Sequence, residues 1–409
     1  MKIAVISKAN RNGGGASQVA EDLAIWLNKA GYPTDHFIAV FDQQSHSFQK
    51  SLYGKGLRRK LCQLSHRTTK KFGLWEILPA EYWLTLNHII DQYDIIHFHD
   101  LYKHISPLTL ALTSQRKPTF FTVHDCSAFT GGCLYPQGCE KFASQCYQCP
   151  QLPQKTWKNR LRDHSKEIHK IKRWLARQAK IQYIFPSAWI AQQASLSLSF
   201  KIPPVIIPNS IDLDPFLHTT KREAQIALDI PEHRKVVVIS AHYLADPRKG
   251  AKYAIAALQS CRHFSPLVLI VGHCDDELRA SLKGLEIKEI GYIENSKEIA
   301  QTYLAADIML FCSLEEVFGL TVLEAMAASC VIVGFSTGGV PEIIKTGRNG
   351  ILVETANQES LNQALHQALT CSNLESMAEQ ARKDVENKFA PNIFLRRHLE
   401  IYRMALNNY

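Results

Sequence analysis

The sequence predicts an α/β protein with two doubly wound domains, each built on a parallel sheet. Short apolar runs rich in β-branched residues alternate with amphipathic stretches along the 409 residues. Runs with so little polar alternation are typical of parallel strands that are covered on both faces. The runs fall into two series, and the segment PPVIIPNSIDLDPF at 203–216, rich in Pro and Asx turn formers, separates them.

The first series of runs predicts the strands of an amino-terminal domain. Its members are KIAVIS, DIIHFH, TFFTVH and IQYIFP, at residues 2–7, 94–99, 119–124 and 181–186. The amphipathic stretch 18–29 follows the first run and predicts a helix. We place this domain at residues 1–206, including a cysteine-rich loop at 126–150.

The second series predicts a domain at residues 207–388. Its runs lie at residues 235–240, 266–272, 287–291, 307–311, 330–335 and 350–354. The remaining residues, 389–409, carry a helical pattern, and we expect this helix to pack back on the first domain. Two such domains facing each other would leave a cleft at the carboxyl ends of their strands, where open α/β sheets bind ligands.

Charge and hydropathy limit the partners and the location that the sequence predicts for this protein. Lys and Arg outnumber Asp and Glu by 47 to 38, which suits phosphate ligands, nucleic acid or an acidic membrane surface without choosing between them. No apolar run is long enough to span a membrane, and the start lacks the pattern of a signal peptide, so we expect a cytoplasmic protein. No nucleic-acid-binding module is recognisable, and we expect no nucleic-acid partner.

A glycine turn, NGGGAS at 12–17, lies between the first predicted strand and the first predicted helix. Gly14 and Gly15 would let the backbone approach donor phosphates or an acceptor closely. The turn is not the G-x-G-x-x-G fingerprint, and the acidic residue expected about 20 positions further on is at best Asp35. A dehydrogenase therefore has little support, and the missing G-x-x-x-x-G-K-[ST] loop argues against a P-loop ATPase.

Two glutamates stand eight residues apart in the most informative segment, 313–339. Glu316 falls on a predicted loop, Gly319 allows a tight turn, and the helix predicted at 320–328 offers free N–H groups at its start for an anion. Glu324 lies about one and a half turns into that helix, where its carboxylate could accept hydrogen bonds from sugar hydroxyls. The alternative is a solvated loop glutamate and a helix-surface glutamate, and spacing alone does not decide.

This segment, SLEEVFGLTVLEAMAASCVIV followed by STGGVPEII, resembles the Glu-x7-Glu signature of the family 4 retaining glycosyltransferases. The resemblance extends over nearly the whole chain, with GGGAS, VHD, PSAWI, IPNSID and DPRKG in the expected order. It implies the GT-B fold of two facing Rossmann-like domains. It also implies transfer of a hexose-type sugar from a UDP- or GDP-sugar donor to a saccharide or lipid-linked acceptor, in polysaccharide or glycolipid biosynthesis.

The resemblance implies a role for each donor-side residue. Glu324 would bind the ribose, Glu316 would contact hydroxyls of the donor sugar, and Lys249 would neutralise the departing diphosphate. Backbone N–H groups for the diphosphate or sugar would come from Phe318, Gly319 and Leu320. Many members also carry an Arg in a GRL run. Here the run is SAHYL, so His242 takes that place, and Arg248 is the candidate for the missing charge. The alternative for 248–249 is an exposed basic turn.

On the acceptor side, His124 ends the predicted strand TFFTVH. A lone histidine is usually structural, but the resemblance implies that His124 lies beside the donor sugar and orients or stabilises it. Asp125 would orient His124 or fix the loop. His97, His99 and Asp100 end the previous predicted strand and are weaker candidates for the acceptor pocket.

The implied reaction retains the anomeric configuration, and the departing diphosphate takes the proton of the acceptor. We expect no cofactor and no catalytic metal, because cationic side chains and helix dipoles would replace it. Two alternatives stay open. A GT-B sugar epimerase would need acid/base carboxylates and a different signature, whereas the His242 departure fits a catalytically silent GT-B protein that binds a sugar nucleotide.

The loop at 126–150 holds four candidate metal ligands in a C-x5-C-x6-C-x2-C pattern: Cys133, Cys139, Cys146 and Cys149. The final C-x2-C is typical of tetrahedral thiolate sites, although C-x5-C is wider than usual. A cytoplasmic location favours thiolates on a structural zinc over disulfides. The loop also resembles an insertion in exopolysaccharide-type members of the family. The alternative is a set of buried thiols or an occasional oxidised pair.

A basic stretch at 154–180 carries ten Lys or Arg residues and an apolar stripe at roughly helical spacing. We expect the stripe to pack on the sheet and the charges to be solvated. Attraction to an anionic surface would be a secondary property, giving peripheral contact with the cytoplasmic face of the membrane.

Overall fold

The chain folds into two compact units. The structure, a computed structural model, describes residues 1–41, 45–72, 74, 78–152 and 163–407. The first unit comprises Met1–Pro208 together with Phe394–Tyr409, and the second comprises Asn209–Ile393. The sequence places the corresponding divisions at 206/207 and 388/389, a few residues earlier in each case.

A parallel sheet of seven strands in the order β3-β2-β1-β4-β5-β6-β7 forms the centre of the first unit. Its strands are β1 (Ile3–Ser7), β2 (Thr34–Ile38), β3 (Gln49–Ser51), β4 (Ile95–His99), β5 (Thr119–Thr122), β6 (Ile181–Phe185) and β7 (Val205–Ile206). The strand order reverses between β1 and β4, which pair in parallel from Ile3 opposite Ile95. Doubly wound sheets bind ligands beside such a reversal, at the carboxyl ends of the strands.

The helices of the first unit connect these strands or flank them. They are α1 (Gly15–Lys29), α2 (Gly56–Lys71), α3 (Ala80–Leu84), α4 (Pro107–Thr113), α5 (Ser165–Gln178), α6 (Ala188–Ser197) and, from the end of the chain, α15 (Pro391–Asn407). Ser106 and Ser187 cap α4 and α6 by accepting hydrogen bonds from backbone N–H groups. The Phe394 ring of α15 packs edge-on against Trp26 of α1, 5.8 Å away, so the terminal helix completes the core of this unit.

The second unit has a six-stranded parallel sheet in the order β10-β9-β8-β11-β12-β13. Its strands are β8 (Val236–Tyr243), β9 (Leu267–His273), β10 (Glu286–Gly291), β11 (Ile308–Phe311), β12 (Val331–Phe335) and β13 (Gly350–Val353). Its helices are α7 (Lys221–Ala227), α8 (Ala251–Ser260), α9 (Asp276–Ser281), α10 (Ser296–Leu304), α11 (Leu320–Ala327), α12 (Val340–Ile343), α13 (Gln358–Thr370) and α14 (Leu374–Lys388). The order reverses between β8 and β11, so the loops after these strands flank the expected ligand edge.

Several local expectations need correction. The strand predicted at 119–124 ends at Thr122, so His124 lies on the loop that follows β5. The strand predicted at 235–240 continues to Tyr243, which places His242 inside β8 instead of after it. The described part of the basic stretch forms α5, and its residues 154–162 lie outside the described residues. Within the chain that the structure describes, no helix has the length and apolar character needed to cross a membrane.

Candidate active site

Three loops meet at the carboxyl edge of the second sheet, following β8, β11 and β12. Leu314 N–H donates to the Arg248 carbonyl at 2.8 Å, which joins the first two loops. The Thr337 hydroxyl donates to the Leu314 carbonyl at 2.8 Å, which joins the second and the third. These bonds hold the loops as one surface, so side chains that are distant in sequence have fixed positions relative to each other.

Two glycines make this close approach of loops possible. Gly250 has φ +65°, and a Cβ there would lie 2.0 Å from the Cys312 carbonyl oxygen. Gly338 has φ +54°, and a Cβ there would lie 1.5 Å from the Glu316 carbonyl oxygen. Both positions combine a left-handed backbone with contact against another loop, and only glycine satisfies both conditions.

Lys249 and Glu316 form an ion pair on this surface. The Lys249 ammonium lies 3.0 Å from Glu316 Oε2, while Glu316 Oε1 accepts a hydrogen bond from the Val317 N–H at 3.2 Å. The two side chains are only 23% and 13% exposed, respectively. A partly buried pair with such support keeps both charges in place before any ligand arrives.

Arg248 lies on the same turn, Pro247–Lys249, which Asp246 caps by accepting from the Arg248 N–H at 2.9 Å. Its guanidinium donates to the Glu315 carbonyl at 3.1 Å and lies 3.3 Å from the Asp246 carboxylate. Arg248 therefore ties the first loop to the second. Whether it also supplies a charge to the donor stays a prediction.

The start of α11 lies directly after Glu316. Phe318 is buried, Gly319 precedes the helix with φ +98°, and Leu320 is its first residue. The first N–H groups of a helix have no partner within the helix and carry a partial positive charge. A helix amino terminus thus follows the Lys249–Glu316 pair within one loop, and both features can attract an anionic ligand.

Glu324 lies in the second turn of α11, and it interacts with a tyrosine that the sequence does not single out. Burial, and then the charge of Glu324, raises the pKa of Tyr303. The Tyr303 hydroxyl donates to the Ser240 hydroxyl at 2.8 Å. Tyr303 thus lies between Glu324 of α11 and Ser240 of β8 and interacts with both. No pattern in the sequence marks Tyr303, because it comes from the separate helix α10.

An aromatic cluster lies at the carboxyl ends of β8, β9 and β10, and the sequence does not predict it. The rings of Tyr243 and His273 stack at 4.9 Å, and those of His273 and Tyr292 stack at 5.2 Å. His242 packs edge-on against Tyr292 at 4.6 Å. Burial and the neighbouring His273 lower the pKa of His242, which favours its neutral form. Each member stands at or just after a predicted strand end, and that shared position is the signal that could have revealed the cluster.

In the first unit, His124 pairs with His99. The His99 Nδ1 and His124 Nε2 atoms are 3.0 Å apart, and the two rings stack at 5.2 Å. Burial lowers the pKa of His124 to about 3, with a further contribution from His398. His124 is therefore a neutral imidazole that a second ring holds in place.

His97 does not line an acceptor pocket, and that expectation is wrong. It is fully buried, and both ring nitrogens are engaged within the unit. Nδ1 lies 2.5 Å from the Tyr402 hydroxyl of α15, and Nε2 lies 2.8 Å from the Thr122 hydroxyl. His97 instead links the terminal helix to β4 and β5.

Asp125 fixes the loop that carries His124. Its carboxylate accepts a hydrogen bond from the Ser127 N–H at 2.7 Å and so caps the short helix Cys126–Ala128. Burial, and then the nearby Asp100, raises the pKa of Asp125 to about 7. Burial also raises the pKa of Asp100, whose backbone has φ +46°.

The glycine turn after β1 opens onto solvent. Gly14 has φ +105° and precedes α1, which begins at Gly15. A Cβ on Gly14 would meet no atom within 4 Å, so the turn leaves space in front of its backbone. This is consistent with close approach by a ligand.

The four predicted zinc ligands, Cys133, Cys139, Cys146 and Cys149, line one small cavity. The Cys146 sulfur accepts a hydrogen bond from the Gly131 N–H at 3.2 Å, and burial raises the pKa of the Cys133 thiol to about 11. As placed, no three His, Cys, Asp or Glu side chains among the described residues are positioned to hold a metal ion. The fold gathers the four thiols in one place, and a structural zinc there stays a prediction.

Helix α5 packs only partly as the sequence predicts for the basic stretch, because Trp174 of the apolar stripe is 52% exposed and Lys172 is buried instead of solvated. Ile168 and Leu175 are buried, and the buried Lys172 donates to the Ser127 carbonyl at 2.6 Å. His169 accepts from the Cys146 N–H at 3.2 Å and lies 2.7 Å from the Ser197 hydroxyl. The inner face of α5 therefore supports the cysteine loop.

Two family models match the chain. The model described as Glycosyltransferase Family 4 matches residues 13–215, and the one described as Glycosyl transferases group 1 matches residues 220–384. An uncharacterized glycosyltransferase of Methanocaldococcus jannaschii is 25% identical over 99% of each chain. N-acetyl-alpha-D-glucosaminyl L-malate synthase of Bacillus anthracis is 31% identical over 31% of this chain and 34% of its own.

Solved structures share the fold over the full length. Sucrose-phosphate synthase from Thermosynechococcus elongatus superposes with a TM-score of 0.74 at 18% identity, covering 100% of both chains. The Anabaena protein Alr3699/HepE in complex with UDP-glucose has a TM-score of 0.68 at 17% identity, covering 99% of this chain and 100% of its own. At this identity the likeness concerns the fold.

Proposed function

The chain belongs to the family 4 glycosyltransferases and has their GT-B fold; from this premise we propose that it is a retaining enzyme that uses a nucleotide-sugar donor. The donor is a UDP- or GDP-linked hexose, and the acceptor is a saccharide or a lipid-linked glycan in polysaccharide or glycolipid biosynthesis. The complexes of Alr3699/HepE with UDP and with UDP-glucose make UDP-sugars the first donors to examine.

One observation carries the proposal: Lys249 and Glu316 lie 3.0 Å apart beside the amino terminus of α11. An ammonium group and helix N–H groups suit a diphosphate, because both place positive charge where negative charge develops as the bond to the sugar breaks. A carboxylate beside them suits the hydroxyls of the sugar itself. Backbone groups of Phe318, Gly319 and Leu320 would complete the contacts.

In the proposed reaction the bond between the anomeric carbon and the diphosphate oxygen breaks, and its electron pair stays on the diphosphate. Lys249 stabilises that charge, with Arg248 as the candidate for a second cation. The acceptor oxygen bonds to the anomeric carbon on the face that the diphosphate leaves, and its proton passes to a diphosphate oxygen. This route keeps the anomeric configuration and uses no protein nucleophile.

The nucleoside would occupy the neighbouring part of the same sheet edge. The rings of Tyr243, His273 and Tyr292 offer faces on which a base can stack, and Tyr243 and Tyr292 are 58% and 39% exposed. Glu324 would accept hydrogen bonds from ribose hydroxyls. A neutral His242 favours contact with the nucleoside over charge neutralisation, which leaves Arg248 as the cation of this region.

His124 would act on the acceptor side as a neutral hydrogen-bonding group. The lowered pKa and the contact with His99 support this role, since a neutral ring can both accept and donate. Gly14 and Gly15 would offer backbone close to the ligand. Asp125 would act through the loop that carries His124.

A donor panel followed by product analysis tests the proposal. We expect one nucleotide series, UDP or GDP, to raise the Tm, and we expect the matching sugar nucleotide to undergo hydrolysis or transfer. The glycoside formed from an α-linked donor should be α-linked by NMR. Inversion of configuration would contradict the retaining mechanism. Donor binding without any turnover would identify a silent sugar-nucleotide-binding protein, and a changed sugar on the nucleotide would identify an epimerase.

A further inference from the structure

Helix α2 presents an apolar row to solvent. Leu57, Leu61 and Leu64 are 72%, 42% and 60% exposed, and Phe72, directly after the helix, is 63% exposed. Residues at i, i+4 and i+7 share one face of a helix, so the three leucines form a continuous strip. A helix on the surface of a domain normally turns such a strip towards the core. The reversed orientation indicates an interaction surface.

The opposite face of α2 is anchored in the first unit. Cys62 is fully buried, and the His66 ring packs 5.4 Å from that of Tyr53. His66 Nε2 also lies 3.3 Å from the buried carboxylate of Glu81, which accepts a hydrogen bond from the Ser106 N–H at 2.8 Å. The helix is thus held with its polar face inward and its leucines outward.

The charges on α2 itself have a single sign. The sequence of α2, GLRRKLCQLSHRTTKK, contains no acidic residue. Its exposed cations are Arg58, Arg59, Lys60, Arg67 and Lys71. At 3.6 residues per turn, Lys60, Arg67 and Lys71 flank the strip on one side and Arg58 flanks it on the other. A complementary surface must therefore be apolar in its interior and negatively charged at its rim.

We propose that α2 docks this protein on an anionic lipid bilayer. The leucines and Phe72 would enter the boundary between headgroups and acyl chains, while the flanking cations contact anionic headgroups. A second copy fits less well, because pairing α2 with itself would bring two sets of like charges together. Burial of the apolar side chains and attraction between opposite charges would together bind the protein reversibly to the bilayer surface, without a helix that spans the bilayer.

Docking through α2 would bring the candidate acceptor edge to the lipid surface. Tyr53, just before α2, donates its hydroxyl proton to the His104 carbonyl at 2.7 Å. His104 lies on the loop that follows β4, and β4 ends at His99 beside His124. A lipid-linked acceptor would then be presented at that edge. The presentation of the acceptor rests on the proposed function, whereas the docking itself does not.

The sequence predicts membrane attraction for the basic stretch 154–180, whereas the exposed apolar strip lies on α2. In α5, Ile168 and Leu175 are 4% and 2% exposed. Trp174 is exposed at 52%, but it is a single side chain and forms no continuous strip among the charges. Helix α5 therefore provides a matched comparison, with exposed cations but without an exposed apolar strip.

Cosedimentation of the full chain with vesicles tests the proposal, using phosphatidylcholine alone or mixed with phosphatidylglycerol. We expect binding only to the mixed vesicles, weakening as salt is added. Each cation near an anionic surface contributes about fivefold to the partition coefficient, so Arg58→Glu/Lys60→Glu should lower it by at least about 25-fold. Leu61→Glu/Leu64→Glu should reduce binding to background. The charge-matched Lys170→Glu/Arg177→Glu variant of α5 should change binding by less than about twofold.

Circular dichroism and the Tm establish that each variant is folded. The proposal is overturned if the wild type binds both vesicles equally, if the leucine variant binds as well as the wild type, or if the α5 variant loses as much as the α2 variant. A dimer that the leucine substitutions dissociate, without vesicle binding, would assign the surface to a second copy. The vesicle experiment contains no sugar donor, so its result does not depend on whether the protein transfers a sugar.

Discussion

The carbonyl oxygen of Glu316 occupies the space that a side chain on residue 338 would need, 1.5 Å from the position of a Cβ. We therefore expect Gly338→Ala to displace the loop that carries Glu316, lowering both donor affinity and the free energy of unfolding. Gly347 is the matched control, because its φ is +82° and a Cβ there meets no atom within 4 Å. Gly347→Ala should cost only the backbone strain, about 1–2 kcal/mol, in urea unfolding. Equal losses for the two variants would contradict the close approach.

Removal of either member of the Lys249–Glu316 pair should impair transfer. Lys249→Ala deletes the charge that stabilises the departing diphosphate, and we expect kcat to fall by about 10²–10³-fold. Glu316→Gln keeps the shape of the side chain and tests its charge. Lys252→Ala, which removes a neighbouring cation on α8, is the control and should retain activity. Steady-state rates with the identified donor provide the measurement, and full activity in Lys249→Ala would refute the assignment.

The aromatic cluster should determine nucleotide affinity. Tyr292→Ala removes a stacking face, and we expect the Kd for the free nucleoside diphosphate to rise about tenfold, while Tyr292→Phe retains binding. Calorimetric titration gives both values. A loss that is equal for Ala and Phe would point to the hydroxyl group instead of the ring.

Buried histidines should make the stability depend on pH. Burial lowers the pKa of His97 well below 6.5, with contributions from His398 and His124, and it lowers that of His99 and brings His398 to about 4. These rings are neutral in the folded chain, whereas the unfolded chain takes up protons below about 6.5. These rings should therefore add no pH dependence above about 6.5, and they should lower the stability as the pH decreases below it. Asp125, with a raised pKa of about 7, opposes this trend between its unfolded pKa and 7.

The variant His97→Gln isolates one of these groups. It keeps a hydrogen-bonding side chain between Tyr402 and Thr122 but cannot titrate. We expect the slope of unfolding free energy against pH, below about 6.5, to decrease by about 1.4 kcal/mol per pH unit. Urea unfolding across that range measures it, and an unchanged slope would show that His97 takes up no proton on unfolding.

Zinc in the cysteine loop remains a prediction that metal analysis can decide. Binding would require the four thiols to lose protons and draw together, which couples the metal to local folding. We expect about one zinc per chain, lost in Cys133→Ser/Cys149→Ser and retained in Cys371→Ser, whose cysteine lies in the second unit. Zinc at background level in the wild type would support the arrangement in the structure, where the thiols gather without forming a metal site.

The strands that carry apolar runs were predictable, whereas β2, β3 and β7 of the first unit were not. Val331 and Val333 of β12 are fully buried between helices, and such burial leaves an uninterrupted apolar run in the sequence. β2 reads TDHFI, and its His36 is also fully buried, 2.8 Å from the Ser7 hydroxyl. A buried polar side chain that hydrogen-bonds to a neighbouring strand interrupts the apolar run by which a strand is recognised in the sequence.

The candidate site divides in the same way. Glu316, Gly319 and Glu324 lie within one short segment, so a local motif that resembles the family signature indicates them. Tyr243 and His273 end β8 and β9, and Tyr292 directly follows β10. They become neighbours only because the sheet orders those strands side by side. Their proximity follows from the order of strands in the sheet, and a short sequence motif contains no information about that order.

The return of α15 to the first unit determines when that unit can finish folding. Phe394, His398 and Tyr402 are buried in it, yet the whole second unit is encoded before them. During synthesis, the sheet of the first unit leaves the ribosome with Trp26 and His97 lacking their contacts from α15. The first unit to begin folding is therefore the last to be completed, after the second unit has been translated.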